Sequence, residues 1–350
     1  MARTFNAPSR PGHRTVRASW FAFRFNVRVL AFVAVAALAL TLLTLWAMTL
    51  GSLPLSFSEV MRATVGQGSD DTQFVVRTLR LPRVLSAVLI GISLAIAGAI
   101  FQGIARNPLV SPDIIGINSG ATVCAVTWII VGSNQALLPL AAFAGAIVTA
   151  AAIYGLSWNN GISTNRLILV GIGVGAVVSS GSTYMIVRFP IEQARPAIVW
   201  TMGSIYGSDW ADVILLGGVL AVMTPLAVFL IAPLRVLQIG DVVTRSLGLS
   251  LERTRLSLMV VGCALAGTSV AIAGPIGFVA LMVPHMARMI AGPQSGSVLL
   301  FTGVLGGIML LASDVVAQHL LPVSLPVGVV TAAVGAPYFL FLLYRSNTRM

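Results

Sequence analysis

Lysine is absent from this chain: all 21 of its basic residues are arginine. A Walker A loop needs a lysine on the nucleotide's β- and γ-phosphates, and Schiff-base catalysis needs a lysine amine. Neither chemistry can be built from these residues. Charge of any kind is scarce, at 9% of 350 residues, and the acids number only 10. No Ser-His-Asp order, carboxylate pair or metal-ligand cluster stands out, so nothing in the chain reads as catalytic. Cysteine is nearly missing as well. Cys124 and Cys263 fall inside apolar runs, without C-x-x-C spacing or a soluble domain to staple, and read as small core residues.

What fills the chain instead is apolar sequence, 57% of all residues. The runs are ~20 residues long and do not alternate, as membrane-spanning helices require and barrel strands do not. The fold class is therefore all-α, a polytopic helical bundle. Bounded by charge, proline or glycine, the spans fall near 28–50, 83–104, 113–132, 136–157, 166–187, 211–234, 254–273, 276–291, 298–320 and 327–344. Ten spans put both termini on one side.

A net charge of +11 raises the question of nucleic acid, but the arginines sit in short loops between spans rather than on one stripe. Topology accounts for most of them. With the N-terminus inside, the cytoplasmic segments hold the six arginines up to Arg28 and Arg106, Arg166, Arg235, Arg245, Arg253, Arg255, Arg288, Arg345 and Arg349. Arg62, Arg77, Arg80, Arg83, Arg188 and Arg195 fall outside. Fifteen against six satisfies the positive-inside rule, with the cluster Arg77, Arg80 and Arg83 as the exception.

Residues 1–27 read as an arginine-rich cytoplasmic tail, 28–345 as a ten-helix membrane domain that includes the 235–253 cytoplasmic loop, and 346–350 as a second cytoplasmic tail. The apolar run after residue 27 is too long for a signal-peptide h-region. Two connections hold structure of their own. In "LSFSEVMRATVG" Ser56 or Ser58 can cap a short surface helix, and in 235–253 Gly240 and Gly248 separate short amphipathic pieces. Between the second and third spans, "RNPLVSPDIIGINSGA" carries two prolines four apart, which must break the helix. Such backbone is tolerated at membrane depth where it is buried in protein or lines a cavity.

That segment belongs to an ordered set: "RLPR" at 80–83, "GAIFQGIARNPLVSPDIIGINSGA" at 98–121, "WTMGSIYGSDW" at 200–210, "LGLSLERTR" at 247–255, "AGPIGFVALMVPHMAR" at 273–288 and "LPVGVVTAAVGAPYFLFLL" at 325–343. Over about residues 50–345 the chain resembles the FecCD-type permeases, subunits of ATP-driven (ABC) importers for ferric siderophores and cobalamin. Within that family it looks most like the ferric-enterobactin permease subunits.

The resemblance implies a ten-helix, type II ABC importer permease in the bacterial plasma (inner) membrane. Its implied partners are a second permease, favoured to be a different chain of the family, two ATPase subunits that hold ATP and Mg²⁺, and an extracytoplasmic siderophore-binding protein. The cargo is a ferric siderophore, and this chain needs no cofactor or metal and is not itself an enzyme. Arg80 and Arg83 match docking cations for glutamates of the binding protein, while Gln318 stands where many relatives have a third arginine. Asn107 and Leu109 match one cytoplasmic constriction, and Ser163, Thr164 and Asn165 a second. Gly240, Asp241, Arg245 and Gly248 match the loop that enters the ATPases.

Trp200, Met202 and Tyr206 read either as an aromatic belt or as a pathway wall. Arg77 has no family match, and lipid contact suffices for it. Asp314, inside an apolar span, needs a polar partner or a wet surface. His285 has no second His or carboxylate three or four residues on and reads as structural. Two rivals stand beside the siderophore reading: cobalamin or haem as cargo, and, from another class, an ion-driven secondary transporter. The second calls for intramembrane carboxylates, and apart from Asp314 the spans nearly lack them.

Overall fold

A computed structural model describes residues 13–18, 21–132, 134–159 and 161–347. The expectations for residues 1–12 and 348–350 lie outside the described residues. The chain opens with an antiparallel strand pair, β1 (His13–Ala18) and β2 (Phe21–Asn26), where the sequence reading had only a tail. The alternation of Phe21, Phe23 and Phe25 with smaller or polar residues is the strand signal in that stretch. Everything after it is helical among the described residues.

Helix α1 (Val27–Thr49) leads to α2 (Phe57–Thr64), whose N-cap Ser56 forms a full capping box with Glu59. The Ser56 hydroxyl and backbone N–H both bond the Glu59 carboxylate and hold it below the usual carboxylate range. A short α3 (Asp70–Phe74) runs through a π-turn (Val75–Arg80) into α4 (Leu81–Ala105), which carries Pro82 in its first turn. After the broken segment come α5 (Ile117–Ile130), α6 (Leu138–Leu156), α7 (Thr164–Arg188) and α8 (Ile191–Thr201). The chain continues through α9 (Trp210–Ile239), α10 (Asp241–Ser246), α11 (Leu251–Ala273) and α12 (Val279–Ala291). Helices α13 (Gly296–Val315), extended by a π-turn to Leu320, and α14 (Val327–Asn347) close the bundle.

Among the described residues, seven helices are long and apolar enough to cross a membrane, and three shorter apolar ones, Ile117–Ile130, Val279–Ala291 and Val327–Leu342, bring the number to ten. Three spans form the centre. Their most apolar windows are 78% buried in α4, 78% in α11 and 67% in α13, against 11% in α1 and 22% in α7 and α9. Without a hydrophobic drive between helices in lipid, close approach of backbones supplies the contact. Gly91 of α4 and Gly306 of α13 face each other so closely that a Cβ on either would strike the other's carbonyl oxygen. Gly120 and Gly145 do the same for α5 and α6.

One boundary moves. Residues 235–239, expected in the cytoplasmic loop, complete α9, and the loop reduces to a single short helix, α10, between Gly240 (φ 153°) and Gly248 (φ 77°). Both glycines hold positive φ, which an L side chain resists, so they set the sharp turns that project α10 from the bundle.

Candidate functional site: two charged ends and the cavity between them

Helix α4 rises ~1.5 Å per residue, so its first turn and its C-cap, Arg106, lie roughly 35 Å apart. At the first-turn end, Arg83 forms a forked pair with Asp314 of α13, Nε to Oδ2 at 3.1 Å and Nη2 to Oδ1 at 2.8 Å. The side chains are 20% and 8% exposed, so the pair is shielded enough to act as more than a surface contact. It answers what Asp314 pairs with, and it means that Arg83 is not a free cation. Arg80 is engaged too: Nη1 donates to the Met48 carbonyl at 2.7 Å and Nη2 to that of Leu53 at 2.5 Å, which ties down the chain between α1 and α2. Arg77 is exposed, and its carbonyl accepts the Trp210 indole N–H at 2.9 Å. The Gln318 side chain donates locally, to the Leu325 carbonyl at 3.3 Å.

At the opposite end, the Asp241 carboxylate opens α10 and accepts from two arginines. Arg255, 1% exposed on α11, reaches it through Nη2 at 3.1 and 3.0 Å. Arg106 reaches Oδ1 through its own Nη2 at 2.5 Å. Burial would push the Asp241 carboxyl up, but the two guanidinium charges outweigh it and hold the group below its ordinary range. Arg255 also donates through Nη1 to the Ile162 carbonyl, and Glu252 accepts from the Ile162 N–H at 3.2 Å.

This network touches both expected constrictions. Arg106 precedes Asn107, whose side chain accepts from the Leu109 N–H at 2.9 Å and fixes that turn. Ile162 precedes Ser163, the N-cap of α7, and Thr164 donates to the Ile104 carbonyl at 3.4 Å, which joins the two segments. Asn165 is exposed on the first turn of α7. Of the loop residues, Arg245 is exposed beside the bare apolar side chains of Val242, 79% exposed, and Leu247, 61% exposed.

Between the ends, a cavity of about 750 Å³ opens where α5, α7, α12 and α14 meet. Its wall mixes hydroxyls, among them Ser119, Ser179 and Thr122, with Phe278, Leu281 and Phe339. Ser179 and Ser119 bond each other at 3.0 Å across α7 and α5. Thr201 lines it, whereas Trp200, Met202 and Tyr206 do not; Tyr206 is 82% exposed and Trp200 half-buried. Phe278 holds φ 66° at the start of α12, a conformation that costs a bulky residue ~1–3 kcal/mol and persists only where packing enforces it. Gly335 of α14 leaves the space this side chain occupies, since a Cβ there would overlap Phe278.

The sequence marks Asp241 as a site residue, but its two arginines enter there only through topology, and Phe278 only inside a motif. The signals available were Arg255 inside an apolar span and the Pro275 and Gly277 that precede Phe278. Among the described residues no cluster of three His, Cys, Asp or Glu could hold a metal ion.

A bundle of ten apolar helices with a hydroxyl-bearing cavity between α5, α7, α12 and α14 and an exposed, partly apolar loop has the make-up of a membrane transport permease. The chain belongs to the FecCD transport family, whose sequence profile matches residues 13–345. It is 39% identical over 307 residues to the ferric enterobactin transport system permease protein FepG of Escherichia coli (strain K12), covering 87% of this chain and 93% of the relative. The achromobactin transport system permease protein CbrC of Dickeya dadantii (strain 3937) is 36% identical over 333 residues, covering 93% and 95%. The cobalamin import system permease protein BtuC of Halobacterium salinarum is 37% identical over 282 residues, covering 80% and 76%. A solved structure described as an inward-facing conformation of a metal-chelate type ABC transporter superposes with a TM-score of 0.83 at 28% identity, covering 90% of this chain and 99% of that one.

Proposed function

We propose that this chain is one of two permease subunits of an ATP-driven importer that carries a ferric siderophore, of the catecholate type, across the bacterial plasma membrane by alternating access. The observation that carries the reading is the Asp241 network. Its carboxylate holds the base of the projecting loop to Arg106 and Arg255, each of which is bonded within one residue of a constriction. A push on α10 by an ATPase that binds and hydrolyses ATP therefore reaches both constrictions through hydrogen bonds rather than through lipid-facing packing. The exposed Val242 and Leu247 give such a partner an apolar seat, with Arg245, Gly240 and Gly248 shaping it.

In this reading Asn107, Leu109, Ser163, Thr164 and Asn165 form the cytoplasmic gates, and both termini lie in the cytoplasm. The binding protein docks on the other end. Asp314 occupies the Nε–Nη2 edge of Arg83 and fixes its orientation, which leaves Nη1 for the binding protein, and Arg80 holds the neighbouring loop in place. Trp200, Met202 and Tyr206 would flank the outer mouth rather than the cavity itself. The second permease is a different chain of the same family. The relatives named for enterobactin and achromobactin transport support a siderophore cargo. The relative named for cobalamin import supports the second reading, a cobalamin permease.

The test is uptake by the reconstituted complex of both permeases, two ATPases and binding protein. Saturable, ATP-dependent uptake of a ferric catecholate that cobalamin does not inhibit supports the first reading. Cobalamin uptake without ferric catecholate uptake installs the second.

A further inference from the structure

A second cavity, of about 540 Å³, lies beyond the first, between the C-terminal ends of α4, α9 and α12. A site of that size suits a small-molecule ligand. Its wall includes Arg106, Arg288, His285 and the amide side chains of Gln102, Gln238 and Gln294, and no carboxylate. An adjoining hollow shares Gln238 and Gln294 and adds Arg235.

The wall is built rather than incidental. Gln102 and Gln294 are 4% and 6% exposed, yet their polar atoms are used: Gln102 Nε2 donates to the Leu281 carbonyl at 2.9 Å, and Gln294 Nε2 to that of Ala99 at 3.2 Å. Arg288 Nη2 donates to Gln102 Oε1 at 2.5 Å. Arg106 has Asp241, and Arg255 shares it, but Arg288 has no carboxylate within ion-pair distance among the described residues. A half-buried guanidinium held by one neutral amide keeps most of its donors for something else. His285 stands one turn back on the same helix, its ring edge-on to Tyr338 at 6.4 Å, and the Tyr338 hydroxyl is buried without a hydrogen-bond partner.

The two cavities share one helix face. Phe278, Leu281, His285 and Arg288 are spaced three, four and three residues apart, the interval that aligns side chains along a helix. The first two line the large cavity and the last two the second. Along that face the wall changes from apolar to cationic.

We propose that the His285–Arg288 cavity is a cytoplasmic exit station for the cargo, and that its ligand is a multiply anionic, oxygen-rich ferric chelate. This rests on the permease reading above. The guanidinium fork of Arg288 donates to catecholate or carboxylate oxygens of the chelate, while the cation next to the gate loop, Arg106, adds charge without leaving Asp241. A neutral chelate gains nothing from this end of the path.

The experiment titrates the assembled, nucleotide-free complex in phosphatidylcholine nanodiscs with trianionic ferric tricatecholate and with a neutral ferric trihydroxamate, and reads binding by calorimetry. Arg288→Gln should weaken binding of the trianion about tenfold, the loss of one charge-assisted contact, and leave the neutral chelate unchanged. A melting curve of the variant complex reports its folding. If folding is disturbed, Arg288→Lys, which keeps the charge but not the fork, must still weaken the trianion several-fold. Equal affinity in wild type and variant, or equal losses for both chelates, overturns the proposal. So does binding that vanishes when phosphatidylglycerol is added, because a lipid headgroup then occupies the cavity. A wild-type complex that binds neither chelate refutes the siderophore reading itself, a different failure from a wild type that binds the trianion and a variant that binds it equally well.

Discussion

Removing one partner of the Arg83–Asp314 pair should cost more than removing both. Asp314→Asn keeps the shape but leaves a guanidinium, 20% exposed, facing an amide in place of a carboxylate. Breaking a fully buried pair costs ~3–5 kcal/mol, and residual exposure of the arginine moves the expectation to ~2–3 kcal/mol. Arg83→Gln should cost a similar amount, because the stranded carboxylate is the more buried of the two. The double variant, a neutral amide pair, should recover much of the loss. Detergent-unfolding titrations of wild type, both single variants and the double variant give the coupling energy, expected at ~1–3 kcal/mol. Strictly additive single effects would refute the claim that this pair pins α4 to α13.

Three further outcomes follow from the same geometry. The charge swap Arg83→Asp with Asp314→Arg should restore much of the pair while moving the cation away from the rim, so binding-protein-stimulated ATPase activity of the full complex should fall although the fold holds; undiminished stimulation removes Arg83 from the docking surface. Asp241→Asn should leave ATP hydrolysis running but uncouple it from uptake, and destabilise the complex by ~1–3 kcal/mol, below the buried-pair range because Asp241 is 41% exposed. Since the Asp241 carboxyl is depressed in the fold, its contribution is complete above its unfolded value of ~4 and is lost as pH falls through the lower folded value, so coupling measured between pH 7 and pH 5 should not change through this group. Gly91→Leu should abolish monodisperse protein by size-exclusion chromatography, because its side chain meets the Gly306 backbone, whereas Gly217→Ala, with open space around it, should be tolerated.

The spans were legible because lipid leaves the backbone so few options. Even the short helix at Val279–Ala291 was readable from its run of apolar residues, and Ser56, one of two serines the sequence offered, caps α2. The break between the second and third spans was likewise written in Pro108 and Pro112. The charge partners were not. Arg83 and Asp314 stand 231 residues apart, and Arg106 and Asp241 135 apart. No local periodicity encodes a pairing that arises only when α4 packs on α13, or when α10 folds under the end of α4. For the same reason Arg80 and Arg83, conspicuous in sequence as an outer cluster, turned out to be tied inward.

The central claim, that this chain is a gate moved by ATP hydrolysed on other chains, is tested most directly by uptake into proteoliposomes holding the complete complex. The rate of ferric catecholate accumulation is compared between the intact ATPase partner and one unable to hydrolyse ATP. The account predicts that accumulation stops with the inactive partner, whatever ion gradient is imposed. Accumulation that persists with the inactive partner and follows the ion gradient would contradict it.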